Sequence, residues 1–350
     1  MNENQNQNQI QNLADDEIDL RELIAFFWKK KVVIIAIALI AAVITGLFSM
    51  FVLTPVYDTR LNIVINMPET YHTRYGDYTL PITSNEQYIN LITSNDVILN
   101  TIRDMGYDTD EVTVDTLRKS ISIETGDAKT NVKQNSFIVK VSADSPQNSL
   151  KLAENLYENY IDFLDAMTKE RAISYYDNYF NVQIITLENS LTSVTEILKR
   201  NEELLAQTPQ TINQKEAMQA VKEDLPNTSG FVVLENIINP NYTKIEADIV
   251  GNKQSINSME NSIEKYKTYL NEIAEEKKLI DEYYKTGKAS RLETSIIGVV
   301  ETSVYLPSPP VAPTKKTSPS NAKNAIIGGL LGGMLAVAIV FIKDYWWKKA

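Results

Sequence analysis

The side chains that ordinarily run catalysis are scarce in this chain of 350 residues, which has no cysteine and a single histidine, His72. A Ser–His–Asp triad would have to be built on that one imidazole, and no G-x-S-x-G elbow occurs to present a nucleophile. Zinc would find neither thiolates nor a second imidazole. No acidic loop has the ligand spacing of a calcium site. His72 sits in a polar stretch and is expected at the solvated surface. Thr286-Gly287-Lys288-Ala289-Ser290 bears only a faint likeness to a phosphate loop, and Glu282 holds the position of the earlier glycine. That segment also ends a helical pattern, whereas a phosphate loop opens one. The expectation is a chain with no catalytic residues, no metal and no cofactor.

Two apolar stretches must position whatever work is done instead. Residues 325–342 carry no charge and are long enough for a membrane-spanning helix. Gly328, Gly329, Gly332 and Gly333 form two overlapping small-xxx-small pairs that let another helix approach closely. Tyr345, Trp346 and Trp347 follow at headgroup level, with Lys348 and Lys349 beyond. Residues 32–53 form the matching first span behind Lys29, Lys30 and Lys31. The stretch is too long and too far from the N-terminus for a cleaved signal peptide. The lysine triplet predicts a cytoplasmic N-terminus, and two spans return the C-terminus to the cytoplasm, where Lys343, Lys348 and Lys349 agree. Lys315, Lys316 and Lys323 run against that rule, to which long translocated segments are largely indifferent. Before the first span, Ile18, Leu20, Leu23, Ile24, Phe27 and Trp28 fall near helical spacing. This helix either lies along the inner membrane face or leads straight into the span.

The formal net charge is −11, and the two short tails are −2 (residues 1–31) and +2 (residues 343–350), so the segment between the spans is also about −11. An acidic outer segment argues against nucleic acid or an anionic membrane face as its partner.

Read in order, residues 1–12 are an Asn/Gln tract. Residues 59–67 alternate as a strand, with Leu61, Ile63 and Ile65 on one face. Residues 68–83 read as turn formers. Helices are predicted over 84–92, 94–105 (Ser94 as N-cap, Gly106 as stop) and 112–119, and strands over 121–124 and 137–143. Pro146 then opens a stretch to Gln207 free of glycine and internal proline. A helix there would be about 90 Å long. Its second half has a seam at steps of four and three: Phe180, Ile184, Leu187, Leu191, Val194 and Leu198. Thr208-Pro209 and residues 226–230 mark a far turn with a short polar helix between. A second seam returns through Ile249, Asn252, Ile256, Met259, Ile263, Tyr266, Leu270, Ile273, Lys277, Ile280 and Tyr284, ending at Gly287. Asn252 and Lys277 read either as register control or as exposed positions. Residues 294–305 are β-rich and return to the first sheet. Pro307, Pro309, Pro310 and Pro313 then favour a stiff polyproline connection.

The fold class is therefore an α+β membrane protein: two transmembrane helices flank a discontinuous extracytoplasmic α/β base bearing a long antiparallel helical hairpin. The segments are residues 1–31 (cytoplasmic tail with juxtamembrane helix), 32–53 (first span), 54–145 (base), 146–288 (hairpin), 289–306 (returning β part), 307–324 (proline-rich connector), 325–342 (second span) and 343–350 (cytoplasmic tail).

Three motifs in this arrangement resemble the Wzz-type polysaccharide co-polymerases, the chain-length determinants of bacterial surface polysaccharide. Glu17-Ile18-Asp19-Leu20 with Trp28 is similar to the family's lead into its first span. Asn239-Pro240-Asn241-Tyr242 is similar to a recurring N/S-P-x-Y element. Pro310-x2-Pro313-x4-Ser318-Pro319 with Gly332 resembles the proline-rich signature ahead of the second span. Ser320 departs from that signature where a lysine is usual, and Ala336 where a second glycine is usual. The resemblance implies a non-enzymatic homo-oligomer in the plasma membrane that sets polymer length with a Wzy-type polymerase, with membrane lipid around it and nascent glycan as a further candidate partner. Oligomer or polymerase contacts would fall on Pro310, Pro313, Ser318, Pro319, Gly328 and Gly332. Some members carry a fused tyrosine kinase; without a phosphate loop and with a short tail, none is expected here. The alternative is a membrane adaptor that activates a separate cytoplasmic tyrosine kinase in capsule or exopolysaccharide synthesis.

Overall fold

The computed structural model describes residues 20–82, 84–125, 135–213, 215, 236–288 and 303–346. Helix α1 (Leu20–Phe51) runs unbroken through the lysine triplet. From Leu20 onward, the lead into the first span is therefore continuous, with no separate helix along the membrane face. Helix α7 (Asn321–Val340), closed by a π-helical turn over Phe341–Trp346, is the second apolar helix. It opens four residues before the expected span because Ser320 caps it, its hydroxyl accepting from the Lys323 amide at 3.4 Å. The last part of the expected connector is thus helical. The apolar stretches at Leu23–Phe51 and Asn321–Lys343 are both long enough to cross a membrane.

The described chain divides into two compact units, one comprising Met1–Ile65, Ile98–Glu158 and Tyr305–Ala350, the other Asn66–Val97 and Asn159–Val304. The first unit holds the two apolar helices and most of a four-stranded sheet, in the order β4-β5-β1-β8. Strand β1 (Tyr57–Ile65) pairs antiparallel with β5 (Ser136–Ala143), which pairs antiparallel with β4 (Ile121–Thr125). Strand β8 (Val304–Tyr305) is the short edge beside β1. Period-two alternation buries Thr59, Leu61, Ile63 and Ile65 of β1 with Phe137, Val139 and Val141 of β5. On that face the Thr59 and Ser149 hydroxyls meet at 2.9 Å, so the buried polar pair is satisfied. The other face is largely polar, with Asp58, Arg60 and Asn62 opposite Ser142, Lys140 and the apolar Ile138. Helix α3 (Asn95–Met105) ends at Gly106, whose φ of +69° suits glycine; Tyr107 donates to Ile102 and Gly106 to Arg103, closing the last turn. Ser94 precedes that helix but its buried hydroxyl makes no bond, so its expected capping role is not carried out by the side chain. Thr113 does cap α4 (Val114–Lys119).

In the second unit, residues 68–83 correct the reading as plain turn. They contain an antiparallel hairpin, β2 (Thr70–Thr73) and β3 (Gly76–Thr79), followed by helix α2 (Asn85–Asn90) and a 3₁₀ turn (Leu91–Thr93). Helix α5 (Pro146–Gln207), which begins in the first unit, has 62 residues, and α6 (Pro240–Thr286) has 47. Their pairs run in opposite directions: Glu170 with Tyr284, Phe180 with Tyr266, Glu188 with Lys267 and Glu202 with Lys253. The two helices form an antiparallel hairpin. At its far end, β6 (Thr211–Ile212) pairs with β7 (Ile237–Ile238). The polar helix expected between residues 209 and 226, and most of the β-rich stretch expected over 294–305, lie outside the described residues.

Candidate functional site at the paired spans and the proline strap

Helices α1 and α7 pack through small residues on both sides. Gly328 and Gly332 are buried, and a Cβ on Gly328 would overlap the Thr45 side chain while one on Gly332 would overlap the Ala41 methyl. At Gly329 a Cβ would come within 3.3 Å of the Ala42 methyl, and at Gly46 within 3.5 Å of the Ala325 methyl. Close approach of backbones is what the glycines permit, and dispersion over that contact drives pairing in an apolar medium. The Thr45 hydroxyl donates to the Ala41 and Ala42 carbonyls at 2.8 and 3.1 Å, so it is satisfied within its own helix. Gly328 and Gly332 thus face the chain's own first apolar helix.

Polar groups tie this pair to the chain above it. Ser49, 1 % exposed, donates to Asn321 Oδ1 at 3.1 Å and accepts from Asn324 Nδ2 at 2.8 Å. Lys316 Nζ donates to the same Asn321 oxygen at 3.1 Å. The Val56 amide donates to the Ser318 carbonyl and the Thr317 amide to the Val56 carbonyl, each at 2.8 Å. Ser318 therefore acts through its main chain, ahead of a cis Pro319. The proline-rich segment is a strap held at one end by β8 and at the other by Val56. Pro313 is half-buried along it. Ser308, Pro309, Pro310 and Val311 stand beside Asp58, Arg60, Asn62 and Ile138, enclosing a groove of about 410 Å³.

The hairpin seam is one narrow stripe. Phe180, Ile184 and Ile263 are buried, while Leu187, Leu191, Val194, Leu198, Ile256, Met259, Tyr266 and Leu270 are half-buried. Lys277 is exposed and Glu276 takes the half-buried position beside it, so Lys277 is off the seam; Asn252 is half-buried. Phe180 stacks on Tyr266 at 5.3 Å, and Tyr75 from the β2–β3 turn packs against Tyr176, Phe180 and Tyr269 at 5.3, 5.5 and 4.9 Å. Tyr75 also donates to Glu272 at 3.0 Å, and Arg74 pairs with the same carboxylate. Burial raises the Tyr75 and Tyr176 hydroxyls above their ordinary pKa, keeping both neutral. Asn239 closes the far end, accepting from the Asn241 amide at 3.0 Å and donating to the Pro209 carbonyl at 2.7 Å.

His72 is exposed and its Nδ1 lies 2.7 Å from Asp77, a solvated pair with little energetic consequence. Among the described residues no three of His, Cys, Asp or Glu gather as a metal-binding group. The sequence reading missed Ala41, Thr45, Ser49, Asn321 and Asn324 at the paired helices. A signal was present, since Ala38 and Ala42, and Ala41 and Thr45, are small residues at helical spacing on the first span.

The sequence model of the Wzz family, described as chain length determinant protein, matches residues 16–105. No curated protein matches the chain. Among solved structures, a full-length bacterial polysaccharide co-polymerase is 13 % identical, with 94 % of this chain and 99 % of that one covered and a TM-score of 0.41. A fragment of WzzB, the polysaccharide co-polymerase from Salmonella Typhimurium, is 12 % identical, with 75 % of this chain and 100 % of that one covered and a TM-score of 0.25. The Asn239–Tyr242 and proline-strap motifs lie outside the matched segment, which takes in α1, β1, the β2–β3 hairpin and the helices up to Met105. Over residues 16–105 the chain carries the sequence pattern of the Wzz chain length determinant proteins, and the resemblance read from its motifs is to that family.

Proposed function

We propose that the protein is a non-catalytic regulator of surface polysaccharide chain length, working with a Wzy-type polymerase in the plasma membrane. The observation that carries this reading is the chain length determinant match over residues 16–105, which includes the whole first apolar helix and the first strand of the sheet. Both termini are cytoplasmic and the sheet and hairpin are outside, a topology supported by Lys29, Lys30 and Lys31 before the first span. The working form is a homo-oligomer. In support, Tyr175, Tyr179, Val182 and Ile185 are 39–59 % exposed on α5, an apolar surface of the kind that protein contacts cover. Polymerase contacts fall on the strap, through Pro310, Pro313, Ser318 and Pro319.

The reading is tested by deleting the gene and sizing the extracted surface polysaccharide on a gel. Complementation uses the wild-type chain or Pro310→Ala/Pro313→Ala. The expected result is loss of the modal length on deletion, with restoration by wild type and weaker restoration by the proline variant. Unchanged polymer length and amount on deletion would overturn the proposal. Normal length with reduced tyrosine phosphorylation of a partner would favour the kinase-adaptor reading.

A further inference from the structure

We infer that the groove between β1 and the proline strap binds a short segment of the polysaccharide itself, a site that deepens the reading proposed above and rests on it for the identity of the polymer. Successive outward residues of β1 are Asp58, Arg60 and Asn62, so an acceptor, a multiple donor and an amide with both functions lie in a row on one face. Asp58 accepts from the Ser142 hydroxyl at 2.8 Å, which leaves its carboxylate further acceptor capacity. Among the described residues neither Arg60 nor Asn62 commits its side chain to a hydrogen bond. Arg60 acts only at a distance, helping Lys140 to hold the Glu124 carboxyl below its ordinary pKa.

The opposite wall has complementary chemistry. Pro309 and Pro310 have no N–H to donate, so that side offers carbonyl acceptors and the CH faces of pyrrolidine rings, extended by Val311 and by Ile138 on the floor. Proline fixes φ, and the strap is tied down by the Val56–Ser318 pairing, so the groove is preformed and little ordering entropy is lost on binding.

Three classes of occupant can be compared. A simple anion would meet Asp58 beside Arg60, two charges that cancel. A peptide adding as a strand needs a free run of sheet edge, whereas β1 has β5 on one side and the short β8 with the strap that follows it on the other. A polyhydroxylated ring both donates and accepts at close spacing and carries apolar CH faces, which matches the row on the strand and the prolines opposite. The volume of about 410 Å³ falls in the range of small-ligand sites and is enough for roughly two sugar rings. This also gives Pro310 a place: it is a wall of the groove.

The chain has no cysteine, so a fluorophore on Ser308→Cys reports from the groove without competing labels. The full-length labelled protein in detergent is titrated with oligosaccharides of a few repeat units, cut from the surface polysaccharide of the producing cells. A saturable response is expected. Arg60→Gln/Asn62→Ala should weaken it roughly ten-fold or more, the loss of two or more hydrogen bonds, with the thermal melt unchanged. Maltoheptaose and a proline-free peptide serve as the unrelated glycan and the peptide probe, neither of which should saturate. No saturable response from the wild-type chain overturns the inference, as does equal binding by the double variant or tighter binding of the peptide. The deletion experiment is separate: if it leaves length unchanged while the oligosaccharide still binds in the groove, the length-control reading falls and the site stands.

Discussion

Gly328 shows how a single missing methyl decides an interface. Its neighbour across the pair is Thr45, whose hydroxyl, Cγ2 and Cβ would all collide with an added Cβ. Gly328→Ala is therefore expected to cost about 1–3 kcal/mol, the usual range for overpacking, read as a lower melting temperature of the solubilised full chain. Thr45→Gly should suppress that loss more fully than Thr45→Ala, because the threonine Cβ is itself one of the obstacles. A Gly328→Ala chain that melts like wild type would mean that the two helices do not pair this way. Asn239 is the corresponding residue at the far end of the hairpin. Asn239→Ala removes a helix cap worth about 1 kcal/mol and strands the Pro209 carbonyl. Asn239→Asp keeps the acceptor for Asn241 and loses only the donor. Hydrogen exchange at the Asn241 amide should thus rank alanine fastest, aspartate next and wild type slowest; an equal rate in all three would refute the capping role.

At the level of elements, what could be read from sequence divides according to whether the deciding contacts are local. Helix α5 was legible because residues 147–207 contain neither glycine nor proline, and its seam follows from steps of four and three alone. The β2–β3 hairpin was not legible. Its strands have four residues each, and the sequence Thr-Arg-Tyr-Gly between Thr73 and Gly76 reads as turn chemistry. What holds it is distant in sequence: Tyr75 among Tyr176, Phe180 and Tyr269, and the Tyr176 hydroxyl donating to the Gly76 carbonyl at 2.8 Å. The glycines of α7 were legible as a place of close approach, but not their partner, since small residues on α1 identify a surface and not a pairing. The groove was invisible for a similar reason: alternation puts Asp58, Arg60 and Asn62 on one face, and only the return of the strap makes that face a site. The hairpin's role gives a test. Tyr75→Ala should lower the urea midpoint by the equivalent of about 2 kcal/mol, through loss of several aromatic contacts. Tyr75→Phe should lower it by about 1 kcal/mol, for the hydrogen bond to Glu272. Equal midpoints for alanine and wild type would show that the turn merely rests against the helices.

The whole molecule has no cysteine to oxidise and one exposed histidine, so its titratable weak point lies in its 18 tyrosines. Burial lifts the Tyr71, Tyr78, Tyr88, Tyr176 and Tyr284 hydroxyls above the ordinary value of 10.0, and Tyr88 reaches about 12. Tyr88 is 2 % exposed, and ionising it would place a phenolate out of reach of water. The sign follows from linkage. A folded pKa above the unfolded one means that the unfolded chain sheds its proton first as pH rises, so each such tyrosine contributes stability that is complete below pH 10.0 and is lost on the way through its folded value. For Tyr88 the window runs from 10.0 to about 12. All five belong to the second unit, where Tyr176 and Tyr88 also anchor the β2–β3 hairpin and the segment after it: the Tyr176 hydroxyl bonds Thr73 at 2.9 Å, and the Tyr88 carbonyl accepts from Tyr160 at 2.9 Å. Helicity of the full chain should therefore be flat between neutral pH and about 10 and fall cooperatively above it, with tyrosinate absorbance rising in the same step. Tyr88→Phe removes the hydroxyl that burial lifts to about 12 and should move the midpoint of that fall to higher pH. Absorbance that titrates smoothly around 10.0 while helicity stays constant would show the tyrosines to be solvated, and would remove the aromatic core as the element that fixes the hairpin.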